Sequence, residues 1–133
     1  MVSREDIQSF IDRLDTGVQS AEEVQPGLWV LQTSDGAECV VHYNPPVVVL
    51  RVRVMEPPGE SPKRAELYQR LLELNARDLV HGSYGLEGTH VVLTDTLELE
   101  NLDFTEFQAS YDSIMLALAS HMGDLAAYAK GDS

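Results

Sequence analysis

The sequence predicts an α+β fold, with one antiparallel five-stranded sheet and helices packed mainly on one face, in the order α-β-β-β-α-β-β-α. Apolar residues recur at helical spacing in three segments and alternate with period two in five others. Short turn-forming stretches separate the first three extended segments, and also the last two, and such turns join antiparallel neighbours. Each predicted helix has an apolar stripe, so the helices and one face of the sheet should bury these surfaces against each other.

Size and composition favour a single domain over residues 1–133. A chain of 133 residues can remove roughly two thirds of its unfolded surface from water, so it should fold without metal or disulfide support. The single cysteine, Cys39, has no intramolecular partner for a disulfide and no cationic neighbour in sequence. It is therefore interpreted as a small core residue.

Charge and hydropathy narrow the classes of partner. The chain has 22 acidic and 9 basic residues, for a formal net charge of −13, which opposes binding to a phosphate backbone, so we expect no nucleic-acid binding. The acids are spread along the chain, which is typical of a solvated surface. The alternative is an acidic face that binds a basic partner.

The N-terminal residues lack the apolar region of a secretory signal, and no apolar run reaches the ~20 residues of a membrane span. We expect a cytoplasmic protein without membrane insertion.

The first helix is predicted to begin after Ser3. The Ser3 hydroxyl can cap the amide three residues on, Asp6 stands where a capping box requires an acid, and Val2 with Ile7 has the spacing of a hydrophobic staple. Gly17 is expected to end this helix. Its apolar stripe consists of Ile7, Phe10, Ile11 and Leu14.

The next three segments are predicted to be strands. LWVLQT and ECVVHY flank an Asp-Gly turn, which is typical of a hairpin. Pro45 and Pro46 interrupt the ladder before the third strand, VVVLRVRVME. Alternation in that strand separates an apolar face, Val48, Leu50, Val52 and Val54, from a mixed face, Val49, Arg51, Arg53 and Met55.

A linker, PPGESP, precedes the second helix, which is predicted to begin at Ser61-Pro62 and to run to about Asn75. Its apolar residues cover more than one stripe, and a helix that is apolar on two sides generally contacts two surfaces. We therefore expect a homodimer, with Tyr68 and Leu72 as the outward apolar positions at its interface.

The segment HGSYGLEG, His81 to Gly88, raises the question of an enzyme site. A phosphate loop would open a helix with a lysine in reach, whereas these glycines lead into the alternating segment THVVLTDTLEL, which has no lysine. The glycine spacing about Ser83 also does not fit a nucleophile elbow. The segment is interpreted as a hairpin, Leu79 to Leu86 and Thr89 to Leu97, with a Glu87-Gly88 turn. Gly82 and Gly85 are placed in a strand, where glycine allows a bulge or a close backbone approach.

The last helix is predicted to begin after Asp103 as its cap, with Glu106 completing a capping box and Leu102 paired with Phe107 as a staple. Its long apolar stripe is interpreted as core. The acids that precede it lack the ligand spacing of a calcium loop. The histidines lie in separate elements without paired-ligand spacing, so we predict no metal site, no cofactor and no catalytic residue. They are His42, His81, His90 and His121.

The element order and the second half of the chain resemble a known family. The resembling features lie between Leu67 and His121: LLELNA, the glycine-containing hairpin, the turn LENLD and the long amphipathic last helix. They are similar to the type III secretion chaperone-like superfamily, which holds the Tir-chaperone (CesT-like) proteins and the YbjN-type bacterial sensory transduction regulators. The resemblance implies a chaperone-like or regulatory protein and adds support for a homodimer, and the family supplies no catalytic residues.

Two functions from different classes remain open. The first is a non-enzymatic protein-binding module, chaperone-like or regulatory, that holds an extended or partly helical segment of another protein. The second is a small-molecule-binding sensor or a small enzyme that uses a histidine and the acids near Asp95. The first is favoured because no nucleophile, base and oxyanion donor can be assembled at recognisable spacing.

A peptide-binding surface is predicted on the face of the sheet away from the helices. An extended peptide could pack apolar side chains on the valines there and place its acids near the arginines. The alternative is that these arginines only balance neighbouring acids such as Glu38 across the sheet. The predicted surface consists of Val40, His42, Val49, Arg51, Arg53 and Met55, if Cys39, Val41 and Tyr43 point inward.

Overall fold

The computed structural model describes residues 1–14 and 17–129. The helices are α1 (Arg4–Arg13), α2 (Pro62–Arg77) and α3 (Phe104–Leu125), and a short 3₁₀ helix, Ala126–Tyr128, follows α3. The strands are β1 (Val18–Gln25), β2 (Leu28–Thr33), β3 (Glu38–Asn44), β4 (Val47–Met55), β5 (Ser83–Glu87) and β6 (His90–Glu98).

All strands join one antiparallel sheet in the order β1-β2-β3-β4-β6-β5. The antiparallel α+β architecture is confirmed, but the prediction of five strands in the order α-β-β-β-α-β-β-α is wrong. The sheet has six strands, because β1 precedes the three strands that were predicted. β1 lies at the edge, where most of its side chains are exposed, and its sequence VQSAEEVQ has no apolar alternation to reveal a strand.

Three predicted boundaries also differ. α1 ends at Arg13, with Leu14 as its C-cap, and does not extend to Gly17. β5 begins at Ser83 and not at Leu79, so Gly82 precedes the strand. The turn between β5 and β6 is formed by Gly88 and Thr89, one residue later than predicted. Hairpin ends are poorly defined by hydrophobic alternation alone, because turn geometry sets the register.

The helix starts follow local hydrogen bonding. The predicted capping box is present in α1, where Ser3 and Asp6 exchange side chain to backbone hydrogen bonds of 3.0 and 3.1 Å. Ser61 caps α2 by accepting from the Arg64 amide at 3.3 Å. Asp103 caps α3 by accepting from the Glu106 amide at 2.8 Å. These caps set the direction in which each helix enters the core.

The core lies between the helices and one face of the sheet. A row of buried side chains crosses five strands in register: Leu31, Cys39, Val52, Leu93 and Tyr84. The buried apolar residues of all three helices belong to the same cluster, so the helices cover this face, as predicted. Full burial of one such leucine or valine side chain is worth about 1.5–3 kcal/mol.

Helix α3 crosses the sheet and contacts both other helical regions. At its first turns, Phe107 packs on Phe10 of α1 with ring centroids 5.7 Å apart. Near its end, Asp124 forms an ion pair of 2.6 Å with Arg70 of α2. The His121 ring lies against Tyr84 of β5. The opposite side of α3 faces away from the core.

Candidate functional site

The face of the sheet that points away from the helices, here called the outer sheet face, carries most of the residues predicted to bind a peptide. Strand register places Val40 opposite Arg51 and His42 opposite Val49. The two valines are half-buried, while His42 and Arg53 are exposed. The buried neighbours Cys39, Val41, Leu50 and Val52 point into the core, so these residues follow the predicted alternation in β3, and in β4 as far as Arg53.

Met55 does not join this surface. A register shift between Arg53 and Met55 pairs Met55 with Val91, which is buried in the core. Met55 packs against the core cluster on the helix side. A bulge adds one residue to a strand and reverses the face of the residues after it. Strict alternation, on which the prediction for Met55 relied, therefore fails at the end of β4.

Arg51 has a carboxylate partner, although not the one that was considered. Its Nε lies 3.1 Å from Oε2 of Glu87 in β5, at an angle that leaves the buried Nε without a hydrogen bond. The two side chains are 34% and 52% exposed, and an ion pair with this exposure is worth under about 1 kcal/mol.

Glu38, the acid considered as a partner of the arginines, is engaged elsewhere. Its carboxylate accepts a hydrogen bond of 2.9 Å from Nε2 of Gln32 in β2. Arg53 is exposed at the end of the same face. The alternative of charge balance is thus supported for Arg51, through Glu87, and not for the pair with Glu38.

Two further residues belong to the outer sheet face and were not predicted. Val30 lies opposite Val40, and Leu28 lies opposite His42. Both are half-buried: Val30 lies between the buried Trp29 and Leu31, and Leu28 directly precedes Trp29. The alternation within LWVLQT contains this signal, since inward Trp29 and Leu31 require their neighbours to point outward. With them, the apolar part of the face spans three strands.

The two residues predicted at a dimer interface lie one turn apart on α2. Leu72 is 68% exposed. Tyr68 is half-buried against the core, and the Arg64 guanidinium lies 6.0 Å from its ring centroid. Leu72 is therefore an outward apolar position, whereas Tyr68 packs partly against the core and is partly exposed to solvent.

The structure brings together one cluster of ionisable side chains with the residue types of an active site. Nδ1 of His121 lies 2.7 Å from the Tyr84 hydroxyl, and Nε2 lies 3.5 Å from Oδ2 of Asp78. Both ring nitrogens thus face protein groups, which is the arrangement of a buried structural histidine. Burial raises the pKa of the Cys39 thiol to about 12, so it is not poised as a nucleophile.

The described residues offer neither a metal-binding cluster nor a helix suited to cross a membrane. Within residues 1–14 and 17–129, no group of three or more histidine, cysteine or acidic side chains is arranged to hold a metal ion. Across the same residues, no helix combines the length and the apolar character that a membrane span requires.

Comparisons with known proteins agree with this architecture. The CesT_Tir_1 family model matches residues 2–131. No curated protein matches the sequence. The chain is similar to the heterodimeric ExoU-SpcU complex from the type III secretion system of Pseudomonas aeruginosa, with 15% identity and a TM-score of 0.63, over 77% of this chain and 85% of that one.

Two further solved structures have the same fold. One is the Yersinia pestis type III secretion chaperone SycH in complex with a fragment of YscM2, with 18% identity, a TM-score of 0.58, and coverage of 85% of this chain and 93% of that one. The other is YbjN from E. coli, with 11% identity, a TM-score of 0.64, and coverage of 92% and 93%. At these identities, the likeness concerns the fold alone.

Proposed function

We propose that this chain, which belongs to the CesT_Tir_1 family, is a non-enzymatic protein-binding module that holds a segment of a partner protein. The similar structures include a secretion complex and a chaperone with a bound fragment, and their fold supports a binding role here. The observation that carries the proposal is the outer sheet face, an open surface with half-buried valines beside two arginines. No reaction is assigned to the chain.

The outer sheet face suits an extended, acidic segment. Leu28 and Val30 on β2 have the two-residue spacing of a strand, and Val40 and Val49 extend the apolar area onto β3 and β4, so alternate side chains of a bound segment can rest on this face. Arg53 is exposed, and Arg51 is held only by a partly exposed ion pair to Glu87. Carboxylates of the partner can make charge-assisted hydrogen bonds with both guanidinium groups.

The test is charge reversal of Arg51→Glu and Arg53→Glu, singly and together. Partners are first identified by pull-down from the native cell with mass spectrometry, and the affinity of the purified partner is then measured. The proposal predicts that the double variant loses binding while its melting temperature stays close to that of the wild type. If the double variant binds the partner with unchanged affinity, the outer sheet face is not the binding surface.

Two controls separate recognition from general charge effects. Arg77→Glu changes an exposed arginine at the end of α2, on the helix side of the sheet, and should leave binding unchanged. Glu87→Gln removes the partner of Arg51 without changing either arginine. It should preserve binding or strengthen it, because Arg51 is then free for the partner. A loss of binding in Glu87→Gln would show that the Arg51–Glu87 pair itself is needed.

We also propose a homodimer that uses the outward side of α2. Leu72 is 68% exposed, and burial of such a side chain by a second copy removes apolar surface from water. Tyr68 lies one turn before it and extends the same strip. Light scattering at micromolar concentration measures the mass: the wild type should be a dimer, and Leu72→Asp should be a monomer. A monomeric wild type would rule out this interface.

A further inference from the structure

We propose that the exposed side of α3 is a second interaction surface, and that it binds a cationic, amphipathic segment of a partner protein. This surface lies on the helix side of the sheet, opposite the outer sheet face. Arg53 borders both surfaces, but Leu116 and Met122 border only this one, so variants of these two residues test it separately from the role of Arg51.

Helix α3 is unusually poor in charge for a helix at the surface of this chain. Between Ala109 and Gly123, Asp112 is the only residue with a formal charge when histidine is neutral, although the whole chain carries −13. Leu116 is 70% exposed and Met122 is 42% exposed. A helix with apolar residues on its outer side as well as its core side generally has a second contact.

Two adjoining recesses line one flank of α3, and together they are called the α3 groove. The largest, of about 610 Å³, lies between Met115 and Met122 and the ends of β3 and β4. The second, of about 420 Å³, shares Met115 and Asp35 with the first. The groove is thus continuous along about three turns of the helix, and its methionines can adapt to different apolar side chains. A third recess, of about 340 Å³, lies on the opposite flank of α3, beside Ser113 and Ser120, and is not part of the groove.

The charges around the α3 groove indicate which kind of partner segment it would bind. Four acidic residues and one basic residue, Arg53, line the groove. The hydroxyl of Thr33 and the Ala37 amide hold the pKa of Asp35 below its usual range, so this central acid is ionised at neutral pH. An apolar floor with an acidic rim is complementary to apolar side chains flanked by lysine or arginine. The acids are Asp35, Glu38, Glu56 and Asp112.

The same charges disfavour a second copy of this chain as the occupant. Each copy carries a net charge of −13, and an isologous contact would place the acidic rim of one groove against that of the other. Like charges brought together at an interface oppose association. A cationic segment gains from the same rim, which is why the observations favour it.

Tyr111 supplies a further sign that the groove lacks a partner. Its side chain lines the second recess and is only 2% exposed, and its hydroxyl has no hydrogen-bond partner within the described residues. Buried hydroxyl groups are nearly always hydrogen-bonded. A backbone carbonyl of a bound segment would provide the missing acceptor.

The probe is a synthetic, fluorescein-labelled peptide of leucine and lysine with leucine at helical spacing, titrated by anisotropy at about 0.15 M salt to screen distant charges. The wild type should bind it saturably, and should bind a scrambled peptide of the same composition at least about tenfold more weakly, since only the ordered peptide presents an apolar face. Equal affinity for the two peptides would reduce the effect to general charge attraction and overturn the proposal.

The decisive variant is Leu116→Asp with Met122→Asp. General attraction of a cationic peptide predicts tighter binding, because two negative charges are added. Specific binding in the α3 groove predicts that the affinity falls about tenfold or more, as when central apolar contacts of an interface are lost. The matched control is Val24→Asp with Leu86→Asp, which changes two exposed apolar residues on the edge strands β1 and β5 and should not weaken binding.

A second pair of variants tests the same surface in case Leu116→Asp with Met122→Asp does not fold. Ala119 is exposed and lines the largest recess, so Ala119→Lys should reduce peptide binding by blocking and by charge. Ala109 is exposed on the same helix outside the recesses, so Ala109→Lys should retain binding. Equal affinities for these two variants would overturn the proposal. A wild-type dimer that Leu116→Asp with Met122→Asp converts to a monomer would also overturn it, because the groove would then be a self-interface.

Discussion

Gly82→Ala tests whether the glycine-rich segment has a conformational role. Gly82 has a φ of +80°, and a Cβ atom added there would lie 2.6 Å from the carbonyl oxygen of Thr94 in β6. That oxygen belongs to the backbone of a paired strand, so it cannot turn away as the end of a flexible side chain could. Gly85, three residues later, has no atom within 4 Å of the corresponding position.

The magnitude follows from two separate costs. A left-handed conformation costs a residue with a Cβ atom roughly 1–2 kcal/mol, and the backbone shift needed to relieve the contact costs about 1–3 kcal/mol more, as for an overpacked core. We therefore expect Gly82→Ala to lower the free energy of unfolding by about 2–5 kcal/mol, a large part of the roughly 5–15 kcal/mol typical of a domain.

Urea unfolding followed by circular dichroism measures this difference, with an unchanged m value as the check that both states remain comparable. Gly85→Ala is the control. An alanine in a strand is favoured over glycine by roughly 0.5–1 kcal/mol, so this variant should be neutral or slightly more stable. The argument is refuted if Gly82→Ala is as stable as the wild type, or if both variants lose the same stability.

Three further predictions concern buried and paired groups. Tyr84→Phe removes the hydroxyl that lies 2.7 Å from a ring nitrogen of His121 in the core. The variant should lower the free energy of unfolding by about 1–3 kcal/mol, because the nitrogen is left without a hydrogen-bond partner. An unchanged urea midpoint would contradict this. Burial raises the pKa of the Cys39 thiol to about 12. The thiol of the native protein should therefore resist Ellman's reagent at pH 8, and it should react once urea unfolds the chain. Rapid labelling of the native protein would show instead that the thiol is accessible. The pKa of Glu23 is lowered by hydrogen bonds from the Gly27 amide and from the Arg4 side chain. A depressed carboxyl pKa stabilises the fold above the unfolded pKa, and this stabilisation is lost as pH falls through the folded pKa. Glu23→Gln should therefore melt below the wild type at pH 7, and the difference should shrink in acid; a constant difference down to pH 3 would contradict the linkage.

Local sequence patterns predicted most elements because their signals lie within a few residues. The Ser3–Asp6 capping box and the caps at Ser61 and Asp103 each depend on side chains next to the amides they bind. Alternation placed Val40 and Arg51 on the same outer face, since side-chain direction in a regular strand follows from period two. β1 was missed because an edge strand with solvated side chains needs no apolar pattern.

The candidate surfaces required contacts between distant parts of the chain. The bulge before Met55 depends on how β4 pairs with β6, and the pairing of Arg51 with Glu87 depends on the place of β5 in the sheet. The α3 groove was read from the sequence only as core, because its apolar stripe does not reveal which side remains uncovered. That side is identified by the packing of α3 against the sheet.

By itself, the sequence determined the α+β class, the antiparallel pairing, the helix starts and the resemblance to the secretion chaperone-like superfamily. These properties follow from hydrophobic periodicity, capping and turn chemistry, which act over short distances along the chain. Only the tertiary structure decided the sixth strand, the direction of Met55, the need for glycine at position 82 and the exposure of Leu116. Each of these depends on which distant segments come into contact, and a strand register or an uncovered helix side exists only once the whole core has packed.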